Sequence, residues 1–187
     1  MAADTFAPFA GALLLCVDMQ PVFLKALPDG ASLMRRCAFA ISAAQGVGMR
    51  VAFTEQAPRK LGGVEPKLLE LVKKPTLFSK STFSALADDG IADVIRQLDI
   101  EHIVLCGLET SICIYQTALD AVDRNLQVTI LSDACGARRA EDAATCLTAL
   151  ARHNVYVLPA ETVFYALIQG TDHPFFKEYT KLVKQYG

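Results

Sequence analysis

Residues 102–131, HIVLCGLETSICIYQTALDAVDRNLQVTIL, decide the fold of this chain. The segment begins with an apolar run at 102–107, shows helical spacing of apolar residues over 111–124, and ends with a second apolar run at 126–131. Runs that are apolar on both faces are typical of strands in a parallel sheet, and a helix is the usual connection between two such strands. The segment therefore predicts a strand–helix–strand unit of a parallel sheet.

The same alternation extends towards both ends of the chain. Further strands are predicted at 12–17, 50–54, 76–79 and 154–158, with helices at 32–47, 64–73, 88–98, 139–152 and 160–168. Six apolar strands separated by helices predict an α/β fold of three layers, Rossmann-like, with a doubly wound parallel sheet covered by helices on both faces. We expect a single domain over residues 1–187, because that length suits one core.

Two other segments carry local signals. The stretch 56–66, QAPRKLGGVEP, predicts a long and mobile loop from its proline and glycine content. The tail 173–186, HPFFKEYTKLVKQY, places its apolar residues on one face of a helix. That face predicts docking on the domain, with a subunit contact as the alternative, and we expect a homo-oligomer, either a dimer or a tetramer.

Composition narrows the classes of partner. The formal net charge is −2, with acidic and basic residues mixed along the chain, which argues against nucleic acid as a partner. The apolar run AGALLLCV at 10–17 is far shorter than the roughly 20 residues of a membrane span, so no membrane partner is expected. The residues before it carry an acid and no base, unlike a secretory signal. We expect a cytoplasmic protein, and association with mitochondria stays open.

The cysteines do not follow the spacing of a metal site or a disulfide framework. None of the intervals is C-x-x-C, and the six residues are Cys16, Cys37, Cys106, Cys113, Cys135 and Cys146. Most are therefore expected to be reduced core residues, which leaves room for one reactive thiol.

Three polar side chains follow predicted strands at the edge where ligands bind in an open parallel sheet. Asp18 ends the first strand, Lys80 follows the third, and Cys113 lies just past the fourth. With a strand order of 3-2-1-4-5-6, Asp18 and Cys113 flank the crevice. Each residue also has a structural alternative: Asp18 as a turn cap, Lys80 as a solvated cation and Cys113 as a core thiol.

The start of the helix after the fourth strand favours the reactive alternative for Cys113. With Thr110 as the N-cap, Cys113 is the third helical residue, where free backbone N–H groups and the helix dipole favour a thiolate. The histidines, at 102, 153 and 173, lie away from this edge of the sheet. The general base is therefore expected to be Asp18, with Lys80 holding it oriented.

Three motifs resemble the isochorismatase-like cysteine hydrolase superfamily, and they cover nearly the whole chain. They are LLLCVDMQPVF at 13–23, FSKSTFSAL at 78–86 and VLCGLETSICIYQTALDAVDRNLQVTILSDACGAR at 104–138. Two further stretches, TEQAPRKLGG at 54–63 and HPFFKEYTKLVK at 173–184, look closest to the isochorismatase domain-containing subgroup of eukaryotes.

The resemblance implies a six-stranded parallel sheet in the order 3-2-1-4-5-6 and a catalytic triad of Asp18, Lys80 and Cys113. It also implies a cis peptide between Leu108 and Glu109, which aims the backbone N–H groups of Glu109 and Cys113 into an oxyanion hole. We expect the surrounding small-molecule pocket to be shaped by Gln20, Phe23, Phe83 and Thr110.

The substrate expected from this resemblance is a small amide. Metal-dependent nicotinamidases of the superfamily carry D-x-H after the second strand, whereas this chain has TEQ at 54–56, so neither a metal nor another cofactor is expected. True isochorismatases generally lack the nucleophilic cysteine, so Cys113 points to attack on an acyl carbon and a thioester intermediate.

Three other classes of function compete with this interpretation. A dinucleotide-dependent oxidoreductase is disfavoured, because DMQPVF at 18–23 stands where G-x-G-x-x-G would follow the first strand. A mitochondrial-associated ribonuclease is the label of one similar branch, but the chain has no basic surplus. A non-catalytic binding or scaffold domain is the third alternative.

Overall fold

The structure is a computed structural model that describes Phe9 and residues 11–186. Its centre is a six-stranded sheet, all parallel, in the order β3-β2-β1-β4-β5-β6. The strands are β1 (Ala12–Val17), β2 (Arg50–Gln56), β3 (Thr76–Lys80), β4 (His102–Leu108), β5 (Gln127–Gly136) and β6 (Tyr156–Leu158). The predicted fold class and strand order are confirmed.

Helices cover both faces of this sheet. They are α1 (Pro21–Leu24), α2 (Gly30–Gly46), α3 (Pro58–Leu61), α4 (Pro66–Leu69), α5 (Asp89–Gln97), a π-helix (Thr110–Ile114), α6 (Tyr115–Asp123), α7 (Ala140–Ala151), α8 (Ala160–Ile168) and α9 (Phe176–Tyr186). Alternate residues of β1 point to opposite layers. Leu14 and Cys16 pack with α2, α8 and α9, whereas Leu13 and Leu15 pack with α5, α6 and α7.

The structure differs from the sequence prediction in three elements. The helix predicted at 64–73 is limited to α4, because the N–H groups of Leu71 and Val72 bond to carbonyls three residues back and the chain leaves the α-helical pattern. Strand β5 continues to Gly136, five residues beyond the predicted end, because Cys135 and Gly136 still pair with β4. The helix predicted from 111 begins instead with the π-helix, in which the Ile114 N–H bonds to the Glu109 carbonyl.

The close approach of β1 and β4 depends on Gly107. Its φ is +110°, and a Cβ placed there would lie 2.2 Å from the carbonyl oxygen of Val17. Any other residue would push the two central strands apart. Gly107 therefore sets the distance between the strands that carry Asp18 and Cys113.

The C-terminal helix α9 docks on α2 of the same chain. Tyr179 is fully buried and contacts the rings of Phe39, Phe164 and Phe175. The ring of Phe175 lies against Gly46, where a Cβ would overlap it. The apolar face of the tail thus completes the core, and the predicted homo-oligomer stays a prediction. Among the described residues, no helix combines the length and apolar character that a bilayer span requires.

Candidate active site

Asp18 is the first residue after β1 and is almost completely buried. Its φ of 50° lies in the left-handed region, which aspartate tolerates better than most residues. The Asp18 N–H bonds to the Thr54 carbonyl at 3.1 Å, and the Thr54 hydroxyl donates to Asp18 Oδ1 at 2.7 Å. Strand β2 therefore fixes both the backbone and the carboxylate of Asp18.

Lys80 is the last residue of β3, and its ammonium group lies between Asp18 and Cys113. Nζ is 2.7 Å from Asp18 Oδ2 and 3.7 Å from Cys113 Sγ. It also donates to Gln56 Oε1 at 2.6 Å and to the carbonyls of Thr82 and Phe83 at 3.2 Å each. With 3% of its surface exposed, Lys80 is a buried cation held by a buried carboxylate.

Cys113 lies in the π-helix, and its sulfur is 3.7 Å from the ammonium nitrogen of Lys80. Both the Asp18 carboxylate and the Glu109 backbone N–H influence the pKa of its thiol, in opposite directions. Burial and then the negative charge of Asp18 raise the pKa of Cys113 to about 12, against the opposing effects of Lys80 and the Glu109 N–H. The helix terminus, which favours the thiolate, is thus opposed by burial, and the raised pKa agrees with the expectation that Asp18 takes the thiol proton.

The peptide bond between Leu108 and Glu109, in the turn that delivers Cys113, is cis, as the resemblance implied. The turn differs from the sequence prediction only in its cap residue. The cap position of the π-helix is occupied by Glu109 instead of Thr110, and the buried Thr110 hydroxyl donates to the Gly136 carbonyl at 2.9 Å. The helical turn starts one residue early, so Thr110 ties the turn to the end of β5.

A cavity of about 260 Å³ opens above the three side chains. Its lining is mostly apolar and comprises Phe23, Ala26, Leu27, Phe83, Leu108 and Ile112, with Asp18, Gln56, Glu109, Cys113 and Arg138 as the polar members. Phe83 is 57% exposed and stands at the mouth. The sequence thus placed Phe23 and Phe83 beside this cavity.

Gln20 and Thr110 were expected to shape the pocket, but they lie outside its lining. Gln20 is fully buried, and its amide nitrogen donates to the carbonyls of Gln56 and Gly62 while its oxygen accepts the Gln56 N–H. These bonds hold the end of β2 and the stretch 56–66. That stretch contains α3, so it is not the long loop that was expected, and its mobility stays a prediction.

Sequence reasoning missed Thr54 and Gln56, which bind Asp18 and Lys80 respectively. Both lie at the carboxyl end of β2, directly beside β1. Because that edge had already been chosen as the site, the polar residues at the end of the second strand were the signal that could have identified them.

The polar side chains at the end of β2 are bonded to other groups of the protein. At the end of β2, the Thr54 hydroxyl is bound to Asp18, and the Gln56 amide to Lys80 and the Ser81 carbonyl. Three sulfurs that lie within 4.8 Å of one another belong to Cys16, Cys37 and Cys106, fully buried in the layer beneath α2. A metal is therefore not needed to satisfy the polar groups around Cys113.

The fold has three layers, with helices on both faces of a parallel sheet. A buried carboxylate, ammonium and thiol lie at the carboxyl edge of the sheet, which is the arrangement of an α/β enzyme. The family profile of the isochorismatase domain matches residues 12–162. Isochorismatase domain-containing protein 2 of Xenopus laevis is 33% identical over 174 residues, which cover 92% of this chain and 83% of that protein. The Bos taurus protein of the same name is 34% identical over 182 residues, which cover 95% and 85%.

A solved structure has the same fold as this chain. MAR1 ribonuclease from Caenorhabditis elegans superposes with a TM-score of 0.87 at 26% sequence identity, over 94% of this chain and 90% of that one. The chain therefore belongs to the isochorismatase-like hydrolase family.

Proposed function

We propose that the protein hydrolyses the C–N bond of small amides through a thioester on Cys113. The observation that carries the proposal is the position of the Lys80 ammonium, 2.7 Å from the Asp18 carboxylate and 3.7 Å from the Cys113 sulfur at the floor of a cavity. A nucleophile, a base bonded to it and a group that orients the base are the components of covalent acyl transfer.

In the first half of the proposed reaction, Asp18 accepts the thiol proton as the sulfur attacks the carbonyl carbon. The raised pKa of Cys113 supports this order, because a neutral thiol needs a base in contact with it. The tetrahedral intermediate collapses as Asp18 passes the proton to the departing nitrogen. An amine or ammonia leaves, and the acyl group remains on Cys113.

In the second half, water attacks the thioester and gives its proton to Asp18, which returns it to the sulfur. Overall, one amide and one water molecule react to give one carboxylic acid and one amine. Lys80 takes no part in the proton transfers, and its ammonium group donates to Asp18, Gln56 and two carbonyls. Its role is to orient Asp18 and to stabilise negative charge on it.

The oxyanion of both intermediates is assigned to the backbone N–H groups of Glu109 and Cys113. Support comes from the cis peptide at Leu108–Glu109 beside the nucleophile and from the effect of the Glu109 N–H on the pKa of Cys113, which it lowers. Aligned backbone donors in a water-poor cavity are among the strongest contributions to acyl transfer.

Replacement of Cys113 tests the proposal. We expect Cys113→Ala to lower turnover of a panel of small amides by about 10⁴-fold or more, with folding retained. Cys146→Ala is the matched control, because Cys146 lies on α7, outside the cavity lining. Mass spectrometry of wild-type protein incubated with the same amides should find the acyl mass on Cys113, and turnover by Cys113→Ala at the wild-type rate would sink the covalent route.

RNA cleavage is the second candidate, favoured by the name of the C. elegans structure. The net charge of −2 and the mostly apolar cavity argue against it, because nucleic-acid sites are rich in basic side chains. The two candidates separate in one assay. Cleavage of a labelled single-stranded RNA that persists in Cys113→Ala protein, purified free of contaminating nuclease, would support the ribonuclease.

A further inference from the structure

We infer that the cavity above Cys113 selects uncharged amides with a compact apolar acyl group and rejects those whose acyl group carries a charge. This inference rests on the proposed amide hydrolysis and names the substrate class that the same site accepts.

The walls of the cavity provide the first part of the argument. The apolar lining available to an acyl group comprises the side chains of Phe23, Leu27, Phe83, Leu108 and Ile112. Two aromatic rings and three branched aliphatic chains favour an apolar group that leaves water. The volume of about 260 Å³ limits that group to a short branched chain or a single ring.

The polar members of the lining provide the second part, because each already has a partner within the protein. Asp18 and Lys80 form one ion pair at the floor. Glu109 and Arg138 form another at the mouth, where Arg138 Nε lies 3.1 and 3.2 Å from the two carboxylate oxygens of Glu109. The Gln56 amide is bonded to Lys80 and to the Ser81 carbonyl.

A charged acyl group would therefore enter a mostly apolar space in which the buried ion pair, Asp18 with Lys80, is closed on itself. The other charged pair, Glu109 with Arg138, is partly open to solvent and already ion-paired. Among the described residues, the group would thus lose its water without gaining a buried, unpaired counter-ion, which is the costly form of charge burial. The amide carbonyl itself is different, because its oxygen meets the backbone N–H of Glu109. The cavity thus has a polar part, where the amide carbonyl reacts, and an apolar part, which holds the acyl group.

Leu27 and Ile112 are the specificity-determining residues in this arrangement. Ile112 precedes the nucleophile on the π-helix, and Leu27 follows α1 on the facing wall. Both are partly exposed to the cavity, so a longer or charged side chain at either position reaches the space that an acyl group would fill.

The test compares four small amides on the wild-type protein, with each charged amide set beside an apolar one that differs from it by no more than one non-hydrogen atom. Isobutyramide and benzamide are apolar, succinamate carries an anion and glycinamide carries a cation. We expect kcat/KM for both apolar amides to exceed that for each charged amide by about 100-fold or more. Equal or higher kcat/KM for succinamate or glycinamide, with the acyl mass on Cys113, would overturn the inference and leave the amide hydrolase intact.

A variant places a charge in the apolar wall. Leu27→Arg should raise kcat/KM for succinamate relative to isobutyramide by about tenfold or more, whereas Leu98→Arg, after α5 and outside the cavity, should leave the ratio unchanged. Leu27→Gln, polar but uncharged, should not favour the anion and shows whether the residue tolerates replacement. An unchanged ratio in folded Leu27→Arg protein would contradict the inference. Failure of all four amides to acylate Cys113 would instead overturn the proposed function and this inference with it.

Discussion

The ion pair between Asp18 and Lys80 is buried to a degree that makes each partner dependent on the other. The side chains are 2% and 0% exposed, and every polar atom of the pair lies among protein groups. A buried pair adds little net stability compared with an apolar pair, yet removal of one partner leaves an uncompensated charge. The geometry that orients the base therefore also makes the fold sensitive to its loss.

Asp18→Asn is expected to lower the free energy of unfolding by about 3–5 kcal/mol, because the Lys80 ammonium is left buried without a counter-ion. Urea denaturation followed by circular dichroism measures the change. The double variant Asp18→Asn/Lys80→Met should recover much of the loss, since no charge remains. Equal stability of Asp18→Asn and wild type would contradict the buried pair.

The raised pKa of Cys113 leads to a prediction about alkylation. Because the pKa is raised to about 12, the thiolate fraction grows steadily through neutral and mildly alkaline pH. The rate of iodoacetamide labelling at Cys113 should rise about tenfold per pH unit from pH 7 to pH 10, without levelling near pH 9. Peptide mass spectrometry measures the rate at each pH, and a plateau below pH 9 would show an activated thiolate.

At the residue scale, strand ends were enough to predict Asp18, Lys80 and Cys113 as neighbours. The supporting bonds of Thr54 and Gln56 could not be predicted, because they depend on the register of β2 against β1 and β3. The protonation of Cys113 was also beyond sequence, since its place near a helix start predicts a thiolate and only the depth of burial reverses that.

Among the elements, the pair β1 and β4 positions the base and the nucleophile. The two strands pair in register from Ala12 with His102 to Val17 with Gly107. Gly107 permits the close approach at the end that faces the cavity. A change in that distance therefore alters the spacing of Asp18 and Cys113 directly.

Gly107→Ala should destabilise the protein by more than about 3 kcal/mol and abolish turnover, because the new Cβ overlaps the Val17 carbonyl as well as adopting a disfavoured φ. Gly62→Ala is the matched control, since Gly62 has a φ of +80° with open space around it. We expect a cost of about 1–3 kcal/mol there, from the backbone alone. Similar losses in the two variants, measured by urea denaturation, would refute the role of close approach.

At the element scale, the short apolar runs between helical segments predicted every strand of the sheet. The extension of β5 was missed because SDACG at 132–136 lacks an apolar run, and only pairing with β4 holds it extended. The π-helix was missed because one additional residue in a turn leaves the helical spacing of apolar residues almost unchanged. Pairing with a neighbouring strand, as between β5 and β4, decides where such an element ends.

For the whole molecule, buried thiols link stability to pH. A hydrogen bond with Cys106 and burial raise the pKa of Cys16, and burial raises the pKa of Cys135. A thiol whose pKa is higher in the folded state stabilises the protein below its unfolded pKa, and this contribution is lost as pH rises above that value.

Stability should therefore be constant near pH 7–8 and should fall above about pH 9, where unfolded thiols ionise. The urea midpoint at pH 7.5 and pH 10 measures the loss. Cys16→Ala should show a smaller difference between the two pH values than wild type, because one buried thiol is gone. An identical difference in both proteins would assign the alkaline loss to other groups.

Strand β3 lies at the edge of the sheet, and its side chains from Thr76 to Ser79 are largely exposed, with Lys80 as its buried terminus. The segment that carries the ammonium therefore has few apolar contacts to oppose local opening. Amide hydrogens of β3 should exchange faster than those of β1 and β4, and each opening removes Lys80 from Asp18. Turnover should then disappear at a urea concentration where the rest of the sheet is still folded. The loss of activity would therefore measure the local opening of β3 instead of the cooperative unfolding of the chain.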